Sequence, residues 1–185
     1  MKSLIRLIFT AAMITGFVSC AQKSTKQNIA NNSRQDLSKY SHATFAAGCF
    51  WHEEGLFESI KGVVDAVSGY AGGSVKNPDY EMVENGNTGY AESVTVYYDP
   101  SKITYNTLLE VYFAGQDPTQ SNGQAPDFGS QYRSIAFYDN NSEKTAIENY
   151  IKQLNASGKY HAPIAVQVMP LTKFWKAENY HQDYI

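Results

Sequence analysis

Hydrophobic residues recur along the chain with two different periods. Val94, Val96 and Tyr98 alternate with other residues, as expected for a strand with one buried face. Ile147, Ile151 and Leu154 instead recur at helical spacing. Patterns of these two kinds predict strands over 42–47, 63–68, 93–98, 134–138 and 164–168, and helices over 49–61, 104–113 and about 141–157.

Two long segments between these elements follow neither period. Residues 69–89 are rich in Gly, Asn and Pro, and residues 115–131 are similarly irregular. Loops of this length inside a compact domain are either functional or disordered. The element order is roughly β-α-β-β-α-β-α-β, which predicts an α+β fold, namely a ferredoxin-like α/β sandwich with two long active-site loops. Such loops converge at one edge of the sheet, near the end of the first strand.

The N-terminus has the pattern of an export signal. Lys2 and Arg6 precede an apolar run over residues 7–18, which is too short to span a bilayer core of about 30 Å. The run ends close to Cys20, and the sequence there is similar to a bacterial lipobox with Phe17 in place of the usual Leu. The alternative is an ordinary signal peptide followed by an incidental cysteine.

This pattern predicts an exported, membrane-tethered protein. We expect a lipoprotein signal peptide over 1–19, a lipid on Cys20, a flexible polar tether over 20–42 and a catalytic domain over 43–185. The lipid would hold the protein on the cell membrane or the outer membrane, where it would face the periplasm or the exterior.

Composition narrows the classes of function. The 185 residues carry a formal net charge of −3, so the basic excess that neutralises nucleic-acid phosphates is missing. Two cysteines are too few for a disulfide framework, and the four histidines lie far apart without metal-ligand spacing. We therefore expect no nucleic-acid partner, no metal site and no bound cofactor, in a single domain that acts as a monomer.

Cys49 lies between a predicted strand and a predicted helix. Backbone N–H groups and the helix dipole stabilise an anion at a helix N-terminus, so we expect a thiol pKa below the free value of about 8.5. Gly48 permits a tight turn, and Phe50 and Trp51 can pack an apolar substrate group beside the sulfur. The alternatives are a buried structural cysteine, or a protease-like pair with His52 that lacks an evident orienting Asn or Asp.

An ordered series of short motifs runs along the predicted domain. The motifs are Gly48–Trp51, Gly69–Gly73, Asn77–Tyr80, Gly89–Val94, Tyr98–Pro100, Asp117–Gln120, Gly129–Ser134 and the ending Tyr180–Tyr184. This series resembles the A-type peptide methionine sulfoxide reductases, and the resemblance covers about residues 43–185. The resemblance implies an enzyme that reduces the S epimer of methionine sulfoxide and so repairs oxidised proteins.

The resemblance also implies roles at two positions of the reaction centre. Cys49 is the nucleophile that attacks the sulfoxide sulfur and becomes a sulfenic acid. Glu92 is the proton donor to the sulfoxide oxygen, which requires its pKa to be raised by burial or by a nearby thiolate. The resemblance further implies that Phe50 and Trp51 form the pocket for the S-methyl group of the substrate.

Three further residues are implied as substrate-binding groups. Tyr80 and Tyr132 would hydrogen-bond the sulfoxide oxygen, and Asp127 would be a supporting polar residue near the thiol. Taken singly, a strand-end carboxylate or a tyrosine is more often an ordinary structural group. These assignments therefore depend on the motifs around them.

The chain departs from the family pattern at positions that bear on the pocket and on recycling. Tyr90, Gln116 and Phe128 stand where the family often has His, and we expect them to alter the rim of the pocket. No cysteine follows Cys49. Many family members carry resolving cysteines near the C-terminus, so we expect this chain to use an external reductant, either a thioredoxin-like protein or a small thiol.

Two other functions stay open at this point. A one-cysteine thiol peroxidase would also pass through a sulfenic acid at Cys49. A non-catalytic peptide-binding module of the cell envelope would use the aromatic loops without the thiol chemistry. The partners expected for the main hypothesis are oxidised proteins and peptides, a thioredoxin-like reductant, and a membrane reached through Cys20.

Overall fold

The computed structural model describes residues 36–185, so Cys20 and the predicted signal peptide lie outside the described residues. Strands in this part of the chain are β1 Ser41–Ala46, β2 Val63–Ala71, β3 Ala91–Tyr98, β4 Gly123–Gln124, β5 Asp127–Phe128, β6 Ile135–Tyr138, β7 Gln167–Pro170 and β8 Phe174–Lys176. The helices are α1 Phe50–Glu58, α2 Tyr80–Glu84, α3 Tyr105–Ala114 and α4 Asn141–Ala156. Short 3-10 helices cover Leu37–Lys39, Ser130–Tyr132 and Asn179–His181. Within residues 36–185, no helix combines the length and the hydropathy needed to cross a membrane.

The main sheet has six strands in the order β7-β6-β1-β3-β2-β8. Its four central strands, β6-β1-β3-β2, pair antiparallel and follow the β-α-β-β-α-β connectivity of a ferredoxin-like sandwich. Helix α4 then carries the chain across to β7, which pairs parallel with β6. Strand β8 extends the opposite edge, antiparallel to β2. The α+β fold predicted from the sequence is confirmed.

Alternation along β1 divides the interior into two clusters. Phe45 faces the helices, where its ring stacks on Phe57 of α1 at 5.4 Å and on Tyr112 of α3 at 4.7 Å. The next residue, Ala46, belongs to a smaller cluster that includes Phe137 of β6. Successive side chains of a strand point to opposite faces, so both faces of the sheet are covered.

Several boundaries differ from the predicted ones. Helix α1 ends at Glu58, and the last predicted strand is shifted to Gln167–Pro170. The first long loop contains the short helix α2, which begins because the Asp79 side chain accepts a hydrogen bond from the Met82 amide at 2.8 Å. Strand β1 already begins at Ser41, within the predicted tether.

The C-terminal segment contains the strand β8, which the sequence patterns did not predict. Its Trp175 pairs with Tyr70 of β2, and Gly69 allows the two backbones to approach closely. A Cβ atom at Gly69 would lie only 2.4 Å from the backbone oxygen of Trp175. This pairing directs the last ten residues of the chain toward the N-terminus of α1.

Candidate active site

The second long loop and the residue that follows it pack against Gly48, the residue before Cys49. Gly48 has a φ of +69°, and its N–H group donates a hydrogen bond to the backbone oxygen of Tyr132 at 3.0 Å. The second loop is joined to the first through the Gln131 side-chain amide, which donates to the Glu84 backbone oxygen at 3.0 Å. The predicted convergence of the loops near Cys49 is therefore present, and it places Tyr132 beside the cysteine.

Cys49 is the N-cap residue of α1 and is half-buried. Burial raises the pKa of its thiol to about 11, the amides of Trp51 and His52 lower it, and the negative charges of Glu92 and Asp127 raise it further. Our expectation of a lowered pKa for this thiol is therefore wrong. Desolvation and two carboxylates outweigh the stabilisation that the helix amides provide.

The protease-like alternative for Cys49 does not match the contacts around it. His52 is exposed on α1, and its backbone N–H group donates to the Cys49 backbone oxygen at 3.1 Å. Among residues 36–185, no hydrogen bond joins the imidazole of His52 to the thiol. A general base must be within hydrogen-bond reach of the proton that it removes.

Glu92 lies at the start of β3 and is 2% exposed. Its Oε2 atom accepts a hydrogen bond of 3.0 Å from the backbone N–H group of Phe50, the first residue of α1. Burial raises the pKa of this carboxyl to about 7, the Phe50 amide lowers it, and the charges of Asp127 and Glu84 raise it further. Glu92 can therefore donate a proton near neutral pH, and its carboxyl is bonded to the residue that follows Cys49 in the chain.

Tyr80, Tyr132 and Asp127 belong to the same electrostatic cluster. Burial raises the pKa of Tyr80 to about 12, with contributions from Glu84, Glu92 and Cys49. Burial also raises the pKa of Tyr132, and the charges of Glu92, Asp127 and Cys49 act in the same direction. Both phenols therefore remain hydrogen-bond donors at neutral pH. The structure brings together all the polar residues that the resemblance implied.

The two aromatic residues after Cys49 form an apolar wall with the C-terminal segment. Phe50 is buried and Trp51 is half-buried, and their ring centroids lie 6.3 Å apart. The ring of Tyr184 stacks on Trp51 at 3.8 Å with an interplanar angle of 12°. Tyr184 itself is 58% exposed, and its ring covers one face of Trp51.

His181 is a site residue to which the sequence reasoning assigned no role. It is 2% exposed, and its Nδ1 atom accepts a hydrogen bond of 3.1 Å from the indole N–H group of Trp51. Burial lowers the pKa of His181, so the ring is neutral and carries its proton on Nε2. Its ring also contacts Tyr80 at a centroid distance of 4.5 Å. The one feature of the sequence that could have identified His181 as a site residue is its position in the aromatic ending Tyr180–Tyr184.

The three positions where the family often has His fall in different environments. Tyr90 is buried, donates its hydroxyl to the Val75 backbone oxygen at 2.7 Å and accepts from Trp175 at 3.0 Å. The hydroxyl of Tyr90 is therefore used within the fold. Gln116 lines a cavity beside Cys49, and Phe128 is 60% exposed on β5.

An acidic cluster on the other side of α1 has a structural explanation. Oxygen atoms of Glu54, Glu58 and Asp183 lie within 4.8 Å of one another. Glu54 accepts hydrogen bonds from the Ser68 hydroxyl at 2.6 Å and from the Asp183 amide at 3.2 Å. These bonds join the C-terminal segment to α1 and β2, so they fix the position of the residues next to Trp51.

Comparison with known proteins gives concordant matches. The family model described as peptide methionine sulfoxide reductase matches residues 41–185. Peptide methionine sulfoxide reductase MsrA 2 of Mesorhizobium japonicum is 50% identical over 144 residues, which is 77% of this chain and 74% of that protein.

Solved structures agree with the sequence matches. Mxr1 of Saccharomyces cerevisiae in its reduced form superposes with a TM-score of 0.71 at 34% identity, covering 78% of this chain and 83% of that one. Mxr1 in complex with Trx2 superposes with a TM-score of 0.54 at 25% identity, covering 78% of this chain and 84% of that one.

Proposed function

Because the chain belongs to the peptide methionine sulfoxide reductase family, and so reduces methionine sulfoxide, we propose that it acts on the S epimer through the thiol of Cys49. The observation that carries this mechanism is the position of Glu92. Its buried carboxyl is hydrogen-bonded to the first amide of α1, one residue from the thiol, and its pKa of about 7 leaves it able to give or take a proton. Repair of oxidised proteins is the role that this reaction serves.

The pocket separates the two ends of a sulfoxide group. The methyl group packs against Phe50 and Trp51, whose apolar faces gain from excluding water. The sulfoxide oxygen lies toward the phenols of Tyr80 and Tyr132, which both remain protonated, and toward the Glu92 carboxyl. With the methyl group and the oxygen fixed, only one epimer presents its sulfur to Cys49.

The proton of the thiol follows a short path. Cys49 passes its proton to Glu92, attacks the sulfoxide sulfur as a thiolate, and Glu92 delivers the proton to the oxygen. The sulfoxide S–O bond breaks, and oxygen and proton end on Cys49 as a sulfenic acid. The substrate sulfur is reduced by two electrons and the Cys49 sulfur is oxidised by two. The reaction requires no bound cofactor, because the electrons come from the thiol.

Recycling requires a thiol from another molecule. Cys49 is the free cysteine found within residues 36–185, and the remaining cysteine of the sequence is Cys20. The structural relative Mxr1 is known in complex with Trx2. A thioredoxin-like protein is therefore our choice of final electron donor for this chain.

The test supplies the purified protein with dithiothreitol and a blocked methionine sulfoxide of defined configuration. Methionine is expected from the S epimer, with little from the R epimer and none from the Cys49→Ser variant. Hydrogen peroxide serves as the competing substrate. Absence of methionine with dithiothreitol would reject the proposal, and faster consumption of peroxide than of sulfoxide would favour a thiol peroxidase.

We further propose that the protein is a lipoprotein anchored through Cys20 and exported to the cell envelope. The support is the basic, then apolar, then cysteine pattern of the first 20 residues. Mass spectrometry of the mature protein from membranes is expected to show Cys20 as the lipidated first residue. A Cys20→Ala variant is expected to leave the membrane fraction. An unmodified N-terminus would contradict the anchor without affecting the catalytic proposal.

A further inference from the structure

A cavity that does not involve the rings of Phe50 and Trp51 reaches Cys49. Its volume is about 570 Å³, within the size range of roughly 300–1,000 Å³ for small-molecule sites. Of the site residues discussed above, it shares Cys49 and Asp127. Its other walls come from α1, from the end of α3 and from the second long loop, and they include Glu53, Gln116 and Gln120.

Two residues that line this cavity, Glu53 and Gln120, each carry a side-chain oxygen that lacks a hydrogen-bond partner. Glu53 Oε2 and Gln120 Oε1 are buried and accept no hydrogen bond, and they are two of only four such side-chain atoms within residues 36–185. Unsatisfied buried polar groups are uncommon in folded proteins and call for a physical explanation. Because both residues line one cavity, a ligand there that donates hydrogen bonds would satisfy these oxygens once the side chains turn toward it.

Glu53 is well placed to act on a molecule that approaches the sulfur. It is 4% exposed, and it lines the same cavity as Cys49, four residues further along the chain. Burial raises the pKa of Glu53 to about 8, and at neutral pH its carboxyl is mostly uncharged. In this form Glu53 can both donate and accept a hydrogen bond.

We propose that this cavity binds a small polar thiol, cationic or uncharged, which reduces the sulfenic acid of Cys49. The proposal rests on the function proposed above. The thiol RSH attacks the Cys49 sulfur, its S–H proton joins the departing hydroxyl, and water leaves as the mixed disulfide Cys49–S–S–R forms. A second thiol, from another small molecule or from the thioredoxin-like donor, then attacks the sulfur that carries R. The bond to the Cys49 sulfur breaks, Cys49 takes up the proton of the attacking thiol, and a disulfide departs.

The charge of the cavity decides which thiols fit. Asp117 and Asp127 both contribute to its wall, and no lysine or arginine of the described chain does so. Hydrogen bonds from Thr119 hold the pKa of Asp117 below its ordinary value, so this carboxyl is ionised at neutral pH. Two carboxylates attract an amine and repel an acidic group at close range. An aminothiol is therefore preferred over a sulfonated or carboxylated thiol.

Single-turnover kinetics separate this inference from the proposed function. Mixing enzyme with the S sulfoxide and no thiol gives one equivalent of methionine, which measures the first half-reaction. Adding cysteamine to the resulting sulfenic acid measures the second. Mercaptoethanesulfonate is the comparison probe, because it has the same two-carbon length and the opposite charge. Rates are compared per thiolate, since the two thiols differ in pKa.

Cysteamine is expected to react at least about tenfold faster than the sulfonate. Glu53→Leu is expected to slow the cysteamine step by about tenfold, which corresponds to one lost hydrogen bond, whereas Glu53→Gln retains most of the rate. Gln120→Leu gives a second, independent reduction of the same step. Glu58→Leu, five residues later on α1 and outside the cavity, is the matched control and is expected to match the wild type.

Two results would overturn the inference while leaving the proposed function intact. One is a normal methionine burst with cysteamine rates unchanged in both Glu53→Leu and Gln120→Leu, which would mean that the cavity holds water only. The other is a crystal structure of the Cys49–cysteamine disulfide with the amine against Trp51 instead of near Asp127. Absence of the burst in the wild type would count against the proposed function itself.

Discussion

Replacing Glu92 by Gln removes the proposed proton carrier while preserving the shape of the site. Glutamine keeps an oxygen that can accept the Phe50 amide hydrogen bond, but it cannot release a proton. With a pKa of about 7, roughly half of the Glu92 carboxyls are protonated at pH 7. At the ordinary value of 4.5 the protonated fraction would be about 0.3%, so burial increases the amount of acid about 150-fold.

The number of protons that Cys49 and Glu92 hold together determines how the rate constant depends on pH. Attack by a thiolate together with protonation of the oxygen needs one proton on Cys49 and Glu92 combined. With pKa values of about 7 and about 11, the pair carries one proton across that interval. The wild-type rate constant is therefore expected to be flat between about pH 7.5 and about pH 9.5, and to fall about tenfold per unit below pH 7.

The Glu92→Gln variant is expected to behave differently over the same interval. Its reactive form is the Cys49 thiolate alone, so its rate constant rises about tenfold per pH unit. Near pH 7.5 it is expected to be slower than the wild type by roughly 10²–10⁴, the usual contribution of a positioned acid. Loss of the Glu92 charge also lowers the pKa of Cys49, which the pH dependence of iodoacetamide alkylation reports.

Rapid-quench measurement of methionine formed in one turnover, without any reductant, is the assay. Glu84→Gln is the matched control, because Glu84 acts on Glu92 only through its charge and is exposed on α2. It is expected to stay within about twofold of the wild type. A Glu92→Gln variant slower by less than about threefold, or with the same flat pH profile, would refute the role of Glu92 as proton carrier.

Three further substitutions test the surroundings of the site. Because burial raises the pKa of Glu53 to about 8 from 4.5, its folded form retains a proton that the unfolded form loses, and stability falls as pH rises between those values. As the pH rises from 4.5 to 8, the free energy of unfolding of Glu53→Gln is therefore expected to increase relative to that of the wild type by up to roughly 5 kcal/mol, as measured by urea unfolding. The same difference between the two proteins at both pH values would contradict this. Trp51→Phe removes the hydrogen bond to His181, so it is expected to lower the free energy of unfolding by about 1–3 kcal/mol and to raise KM. The control Trp175→Phe removes the hydrogen bond to Tyr90 and is expected to lower stability without changing KM. Gly69→Ala places a methyl group 2.4 Å from the Trp175 backbone oxygen, so a loss of about 1–3 kcal/mol and an increase in KM are expected; unchanged urea unfolding would show that β8 does not need this glycine.

Local patterns in the sequence were sufficient for the central elements and for the main candidate residues. The period of two along β3 and the period near 3.6 along α4 identified the elements that build the sheet and one of its helices. The same patterns place Cys49 at the start of α1, because the first strand ends just before it. Each of these predictions depends on residues within a few positions of one another, and such local structure produces a repeating hydrophobic pattern in the sequence.

Elements that form by pairing with distant segments were not predicted, because they produce no local pattern in the sequence. Strand β8 is three residues long and forms on β2 about a hundred positions earlier, so it has no period of its own. The bond between His181 and Trp51 spans 130 positions. Nothing near His181 in the chain indicates that partner, although the aromatic ending that contains it did resemble a family motif.

The sequence by itself determined an α+β domain with one thiol at a helix N-terminus, together with the set of residues that would surround it. Only the tertiary structure decided their protonation. It buries Cys49 and Glu92 side by side, and desolvation then raises the pKa of the thiol to about 11 and that of the carboxyl to about 7. Proximity to a helix N-terminus is a local property that a sequence displays, whereas loss of water depends on every segment that folds over the site.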